Sequence, residues 1–322
     1  MQQVKIVSTG LYLPPKIQTA EELSKLIRRS REWIISRTGV EERRISEEPM
    51  DVIAARAAKE ALGSGPDPDC ILNASTTPLQ LIPDSSVFIQ RELGLTGIPA
   101  WSTHTTCLSF LVALITASSL IQSKFYKRIL VVSAETGTPW RNLKEPESAA
   151  LFGDGAAAAV VEPTPENEHS AILDWEMTTW PEGAELTEFR GAGTRRPPYQ
   201  EGKSTSEDYY FTMKGPKVYR MARDRVKETL KTLFERNNIT PKDIDWLIPH
   251  QASRHAIEAA SEYGFDLNKV VNIVSQYGNC IAASIPMALA IAHQKGLIKR
   301  GDLLLLGGTG AGLSVAFSLI RW

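Results

Sequence analysis

The chain has 322 residues, a formal net charge of -1, 43% hydrophobic and 23% charged residues, the profile of a globular protein with room for one large domain or two halves. No basic excess or Lys/Arg cluster points to nucleic acid or an anionic membrane surface, and no charge run points to a disordered tail. The three cysteines, Cys70, Cys107 and Cys280, lie far apart without Cys-x-x-Cys spacing, which favours a reducing compartment and argues against a structural zinc site.

Met1 to Val7 enters a strand pattern directly, with no secretory signal, so a cytoplasmic, soluble protein is expected. Val4 to Gly10 reads as the first strand. A helix follows from Thr19, whose hydroxyl pairs with Glu22 three residues on as a capping box. After Arg31 to Gly39, the residues Val52, Ile53, Ala57 and Leu62 set a helix over Met50 to Leu62. Gly63 to Pro68 is turn material, Cys70 to Ser75 a short buried strand, and Asp84 to Leu93 a helix.

Residues 105–123 carry no charge and are apolar on nearly every face, which predicts a helix buried on all sides. Its length is close to a bilayer span, but its many Ser and Thr residues make it a poor lipid-facing segment, so no membrane association is expected. Cys107 is expected to open this helix, where unpaired N–H groups and the helix dipole would lower its thiol pKa. The alternative is that Cys107 is a small core hydrophobe.

An internal repeat organises the rest. After Cys107 the chain runs helix, Lys127-Arg128 and the strand Ile129 to Ala134; after Asn279 it runs helix, Lys299-Arg300 and the strand Leu303 to Gly308, with 127 − 107 = 299 − 279 = 20. Each copy closes on another apolar strand, Ala156 to Val161 and Leu313 to Ile320. Upstream, a helix over Val218 to Arg236 and a strand over Ile244 to Ile248 match Met50 to Leu62 and Cys70 to Ser75. Two α/β halves with mixed sheets buried on both faces are expected, residues 1–165 and 213–322. Between them 166–212, with Trp175, Trp180 and Phe189, reads as cap or insertion loops over a pocket.

The repeat puts Cys107 and Asn279 at equivalent positions facing one crevice; taken singly, Asn279 is a helix N-cap. Of the five histidines, His169 and His293 fit surface roles, His104 a core position, and His255 a helix beginning near Ala252. His250 stands at the end of the preceding strand, where α/β proteins place their ligand crevice. A cysteine, a histidine and an amide suit acyl-thioester chemistry: Cys107 would carry the acyl group, while His250 and Asn279 donate to a carbonyl that becomes negative. Asn cannot act as a base, which fits a carbanion made by loss of carbon dioxide. N–H groups near Gly310-Ala311-Gly312, joined to that of Cys107, would hold the acyl-transfer oxyanion. Acyl transfer to an oxygen or nitrogen nucleophile without decarboxylation remains the alternative enzyme reading, and a partner-binding scaffold the non-enzymatic one.

The sequence resembles the β-ketoacyl-acyl-carrier-protein synthase III family of thiolase-like condensing enzymes over nearly its whole length. The resemblance rests on Glu32 to Arg43, the Cys107 loop, Leu151 to Ala156, Met213-Lys214-Gly215, Trp246 to Ala252, Tyr277-Gly278-Asn279 with Ala282 to Ser284, and the closing glycine turn. It implies a duplicated thiolase-like fold with five αβαβα layers, a homodimer, catalytic Cys107, His250 and Asn279, and coenzyme A and acyl-carrier-protein thioesters as substrates with no cofactor. It further implies Trp33 and Arg37 at the adenine end of coenzyme A, Gly215 along the pantetheine arm, and Ile82 reaching into the partner's acyl pocket. The chain departs from the pattern where Pro146 and Glu147 stand near a second coenzyme A arginine, and where His255 takes the usual place of a carrier-binding arginine, with Arg254 one residue early. Thr106 to Ser109 and Cys280-Ile281 also differ from the housekeeping pattern, which fits a specialised or medium-chain enzyme.

Overall fold

The computed structural model describes residues 1–197 and 205–322. The first sheet runs, in spatial order, Ala100–Ser102, Cys70–Asn73, Ile129–Glu135, Gly155–Pro163 and Val4–Tyr12. Its first two pairings are parallel and its last two antiparallel. The second sheet repeats this scheme with Trp246–Pro249, Leu303–Gly310, Ser314–Arg321 and Ala171–Thr179, paired parallel, antiparallel and antiparallel. A parallel bridge from Leu247 to Val270 supplies the counterpart of the fifth strand.

The strands are apolar without alternation because both faces of each sheet are covered. Leu304 and Leu306 face the central core with Ile129 and Val131, whereas Leu303 and Leu305 face an outer core beneath the helix Gly215–Asn237. Leu130 and Val132 face the other outer core, beneath Met50–Leu62. Between the sheets lie the helices Ser109–Gln122 and Ser284–Gln294, buried nearly all round. Helix, sheet, paired helices, sheet and helix make the five layers, and the wholly buried leucines each contribute about 1.5–3 kcal/mol of apolar transfer free energy.

The capping box is present: Thr19 accepts from the Glu22 N–H at 3.1 Å while Glu22 accepts from the Thr19 N–H at 2.8 Å. Within the segment 166–212, expected as cap or insertion loops, Ala171–Thr179 is instead the edge strand of the second sheet. Its acidic residues read as loop, yet Asp174 and Glu176 accept from the Arg236 guanidinium at 2.6 and 2.7 Å and pin the outer helix to the sheet edge. Beyond the strand, Trp180 exchanges backbone hydrogen bonds with Leu313 and carries the Arg225 guanidinium over its ring, while Phe189 stacks on Trp140 at 4.4 Å. Residues 198–204 of the expected cap lie outside the described residues.

Candidate active site

Cys107 does not open the helix. The helix begins at Ser109, and Cys107 occupies the preceding turn, where Thr106 has φ 51°. Left-handed backbone at a β-branched residue is strained and persists only where its surroundings hold it. Here the Ser109 hydroxyl does so, accepting from the Thr105 N–H at 3.0 Å and donating to the Thr106 carbonyl at 2.7 Å.

The second half repeats the device. Asn279 precedes a short 3-10 turn, Ile281–Ala283, that leads into the helix at Ser284. The Asn279 Oδ1 accepts from the Ile281 N–H at 2.8 Å, which satisfies the acceptor and fixes the amide so that Nδ2 is the group left for a substrate. Its backbone is held on both sides, donating to the Leu151 carbonyl at 2.8 Å and accepting from Gly153 at 3.1 Å. Asn279 is buried and Cys107 half-buried; both are turn positions ahead of a central helix, and neither is a helix terminus.

His250 follows the strand Trp246–Pro249 and is 6% exposed. The next residue, wholly buried Gln251, fixes the bend: its Nε2 donates to the carbonyls of Pro249 and Val271 at 2.8 and 3.0 Å, and its Oε1 accepts from the Ile273 N–H. Burial pushes the His250 pKa down to about 4, so the imidazole is neutral at physiological pH. Its Nδ1 is buried without a hydrogen-bond partner, which leaves Nε2 as the nitrogen available to a substrate.

The strand Leu303–Gly310 joins these parts. A Cβ at Gly308 would lie 2.8 Å from the His250 Cβ, and one at Gly310 would lie 2.7 Å from the Thr106 Oγ1 and 3.3 Å from the Thr105 carbonyl. Two glycines, two residues apart, therefore let the strand end approach the histidine and the nucleophile turn together. The backbone N–H groups of Cys107 and Ala311 lie near enough to the Cys107 sulfur to lower its thiol pKa.

The expected low thiol pKa is not found. Burial and the negative charge of Glu135 push the Cys107 thiol up to about 12, and the two N–H donors offset this only in part. The dipole argument fails because the thiol sits ahead of the first helical turn in an enclosed setting, where desolvation dominates. Cys70, a buried strand residue, is likewise pushed to about 12, by burial and then by the Asp69 charge, so the N–H groups beside Cys107, and not its acidity, distinguish it.

The comparisons place the chain among known proteins. Residues 103–181 match the family described as 3-Oxoacyl-[acyl-carrier-protein (ACP)] synthase III, and residues 234–322 match its C-terminal part. The beta-ketoacyl-[acyl-carrier-protein] synthase III of Rickettsia bellii is 34% identical, with 99% of each chain covered. The chain belongs to the 3-oxoacyl-[acyl-carrier-protein] synthase III family. The protein of that name from Caldanaerobacter subterraneus subsp. tengcongensis is 36% identical over 98% of this chain and 97% of its own. The crystal structure of 3-oxoacyl-[acyl-carrier-protein] synthase III from Aquifex aeolicus superposes with a TM-score of 0.89 at 34% identity, covering 99% of this chain and 100% of that one. This synthase III homologue is a thiolase-like acyltransferase, and its reaction is decarboxylative Claisen condensation of an acyl with a malonyl thioester.

The residues expected at the thioester mouth are only partly gathered. The helix Arg31–Thr38 carries half-buried Trp33 and exposed Arg37, and it ends at Gly39, φ 77°, against Arg254. A Cβ there would lie 2.3 Å from the Arg254 Cβ, so this contact requires glycine. Arg254 pairs with Glu258 at 3.5 Å, and His255 is exposed beside the same carboxylate. Gly215 opens the long outer helix within 3.9 Å of the Glu147 carboxylate for an added Cβ, so the family's arginine region carries an acid here. Ile82 is 85% exposed on the loop after the strand Cys70–Asn73.

His104, read as core, is exposed. His293, assigned to the surface, is partly buried between the halves, with Nδ1 2.9 Å from the Thr9 Oγ1 and its ring edge-on to Trp322. A buried acid that the sequence reading did not single out is Glu135, 0% exposed at the end of Ile129–Glu135, whose charge reaches the Cys107 thiol. An acid closing a buried strand that is apolar apart from Ser133 was the signal that could have found it.

Proposed function

We propose that the condensation runs through an acyl-Cys107 intermediate, with His250 and Asn279 holding the malonyl thioester. Cys107 Sγ attacks the primer carbonyl, the oxyanion is held by the N–H groups of Cys107 and Ala311, and the primer's thiol leaves with the proton. The malonyl C–C bond to its carboxylate then breaks. Its electron pair enters the thioester as an enolate, which accepts from His250 Nε2–H and Asn279 Nδ2–H. The enolate carbon attacks the acyl carbon, and the Cys107–acyl bond breaks to return the thiolate. A neutral histidine and an amide held by its own oxygen are donors and not strong bases, so carbon dioxide loss, not proton abstraction, makes the carbanion. The amide fixed by the Ile281 N–H carries this reading.

Acyl-coenzyme A as primer, malonyl-acyl-carrier protein as extender and a cytoplasmic homodimer belong to the same proposal, with Trp33, Arg37, Gly215 and Arg254 along the thioester arm. The family membership supports it, and no helix among the described residues is long and apolar enough to cross a membrane. Acyl-coenzyme A thioesters of several lengths, offered with malonyl-carrier protein, should add acyl mass to Cys107 and release carbon dioxide. Acyl loading without carbon dioxide or ketone, at every length, would transfer the assignment to non-decarboxylative acyl transfer.

A further inference from the structure

Arg43 is a wholly buried guanidinium that the acyl-transfer scheme does not use, standing on Glu42–Ile45, a short strand paired with Lys16–Thr19. Its Nη1 donates to the Ala150 carbonyl at 2.8 Å and to the Phe152 carbonyl at 3.1 Å. The groups next to these carbonyls hold Asn279. The Leu151 carbonyl accepts from the Asn279 N–H at 2.8 Å, and the Gly153 N–H donates to the Asn279 carbonyl at 3.1 Å. One segment, 150–153, is therefore gripped by Arg43 through two of its carbonyls and grips Asn279 through the groups that alternate with them. Gly153 leaves no room for a side chain there, since a Cβ would lie 2.0 Å from the Tyr277 carbonyl oxygen and 3.3 Å from the Arg43 Cβ. Asp154 fixes the register of the strand, donating its N–H to the Arg44 carbonyl at 3.0 Å and accepting from the Ser46 N–H at 2.9 Å. The Nε and Nη2 of Arg43 are buried without a partner. A desolvated charge with two of its three nitrogens unpaired is a costly way to fill space, and an apolar side chain would do so at lower cost. What the charge supplies is a pair of strong hydrogen bonds to the carbonyls beside the Asn279 contacts.

We propose that Arg43 is a positioning residue for the condensation: it holds the segment 150–153 rigid and so fixes the Asn279 amide where the extender's carbonyl oxygen must meet it. The Asn279 Oδ1 is satisfied by the Ile281 N–H at 2.8 Å, so the amide's orientation is set within its own turn. The position of that turn is set from the first half, through the isolated bridge from Phe152 to Asn279. A displacement of about 1 Å at a catalytic group costs about 10²-fold in rate, even when its cause lies away from the chemistry. The two carbonyls that Arg43 grips belong to the Asn279 side of the site, so acylation at Cys107 should proceed when they are released.

The inference rests on the proposed roles of Cys107 and Asn279 for its kinetic arm only, because backbone exchange is measured without substrate. Arg43→Met, which keeps the length and removes the donors, and Arg43→Lys, whose ammonium ends about one bond short of Nη1, are compared with wild type. Intact-protein mass spectrometry follows acyl loading of Cys107, ketone formation follows condensation, and hydrogen exchange is read in the peptides that carry 151–155 and 277–283. In Arg43→Met, loading should stay within about threefold of wild type, while kcat for condensation falls about 10²-fold. Both peptides should exchange about tenfold faster. Arg43→Lys should lie between the two. Adding Arg43→Met to Asn279→Ala should lower turnover by no more than about threefold beyond Asn279→Ala alone, because the guanidinium acts through that amide; a general loss of structure would multiply the two effects. Multiplied effects, loading lost in step with condensation, or unchanged kcat or exchange in folded Arg43→Met overturns the proposal. If Arg43→Met does not fold, Arg43→Lys is carried through the same comparisons and judged by the same outcomes. Should wild type itself make no ketone, the reaction assignment fails, and the exchange comparison alone decides whether Arg43 holds the Asn279 turn.

Discussion

Replacing Asn279 by Ala separates the two half-reactions. The substitution removes two things: the Nδ2–H donor proposed for the extender carbonyl and the Oδ1 acceptor that holds the Ile281 N–H at 2.8 Å. Loss of one preorganised donor to a developing oxyanion costs about 3–4 kcal/mol, or about 10²–10³ in rate. The orphaned Ile281 N–H adds about 1–3 kcal/mol of local destabilisation, which the buried backbone bonds of residue 279 to Leu151 and Gly153 limit to the turn. In the proposed scheme acylation uses the N–H groups of Cys107 and Ala311, which the substitution does not touch. Intact-protein mass spectrometry should show normal acyl loading of Asn279→Ala, while carbon dioxide release and ketone formation drop about 10²–10³-fold. Turnover within threefold of wild type, or loss of acyl loading in step with condensation, would refute the division of labour between the two donor sets.

Other substitutions read other parts of the site. Cys107→Ala should show no acyl mass from any thioester, whereas Cys280→Ala should load normally, because Cys280 is buried behind the Asn279 turn and its Sγ faces the Tyr277 carbonyl at 3.5 Å. Wild-type alkylation at Cys107 should keep rising tenfold per pH unit from 7 to 10 without a plateau, as a thiol pKa pushed up to about 12 requires; a plateau below pH 9 would contradict it. His250 has a folded pKa of about 4, below its unfolded value of about 6.5, so its neutral form stabilises the fold above pH 6.5 and this contribution of about 3 kcal/mol is lost as pH falls from 6.5 to 4. Urea midpoints measured across that range should fall less steeply for His250→Asn than for wild type. Gly308→Ala should lower turnover strongly and stability by about 1–3 kcal/mol, since its Cβ would meet the His250 Cβ at 2.8 Å in a backbone at φ 152°; unchanged kinetics would remove Gly308 from the histidine's support.

The sequence by itself determined the fold, because burial on both faces of two sheets demands unbroken apolar strands and helices that no surface segment needs. The equal spacing from Cys107 to Lys127 and from Asn279 to Lys299 made the duplication legible, and His250 followed from a strand end. The edge strand Ala171–Thr179 escaped because half-exposed edge positions admit Asp174 and Glu176, whose ion pairs with Arg236 form only in the folded chain. The same limit hid the chemistry of the thiol. A helix start read along the chain promises an acidic cysteine, but only tertiary structure decides how deeply the sulfur is buried, that Glu135 lies in its field, and that its donors come from its own turn and from Ala311 across the halves. Local pattern follows from neighbours in sequence, whereas desolvation and through-space charge depend on residues that meet only when both halves close.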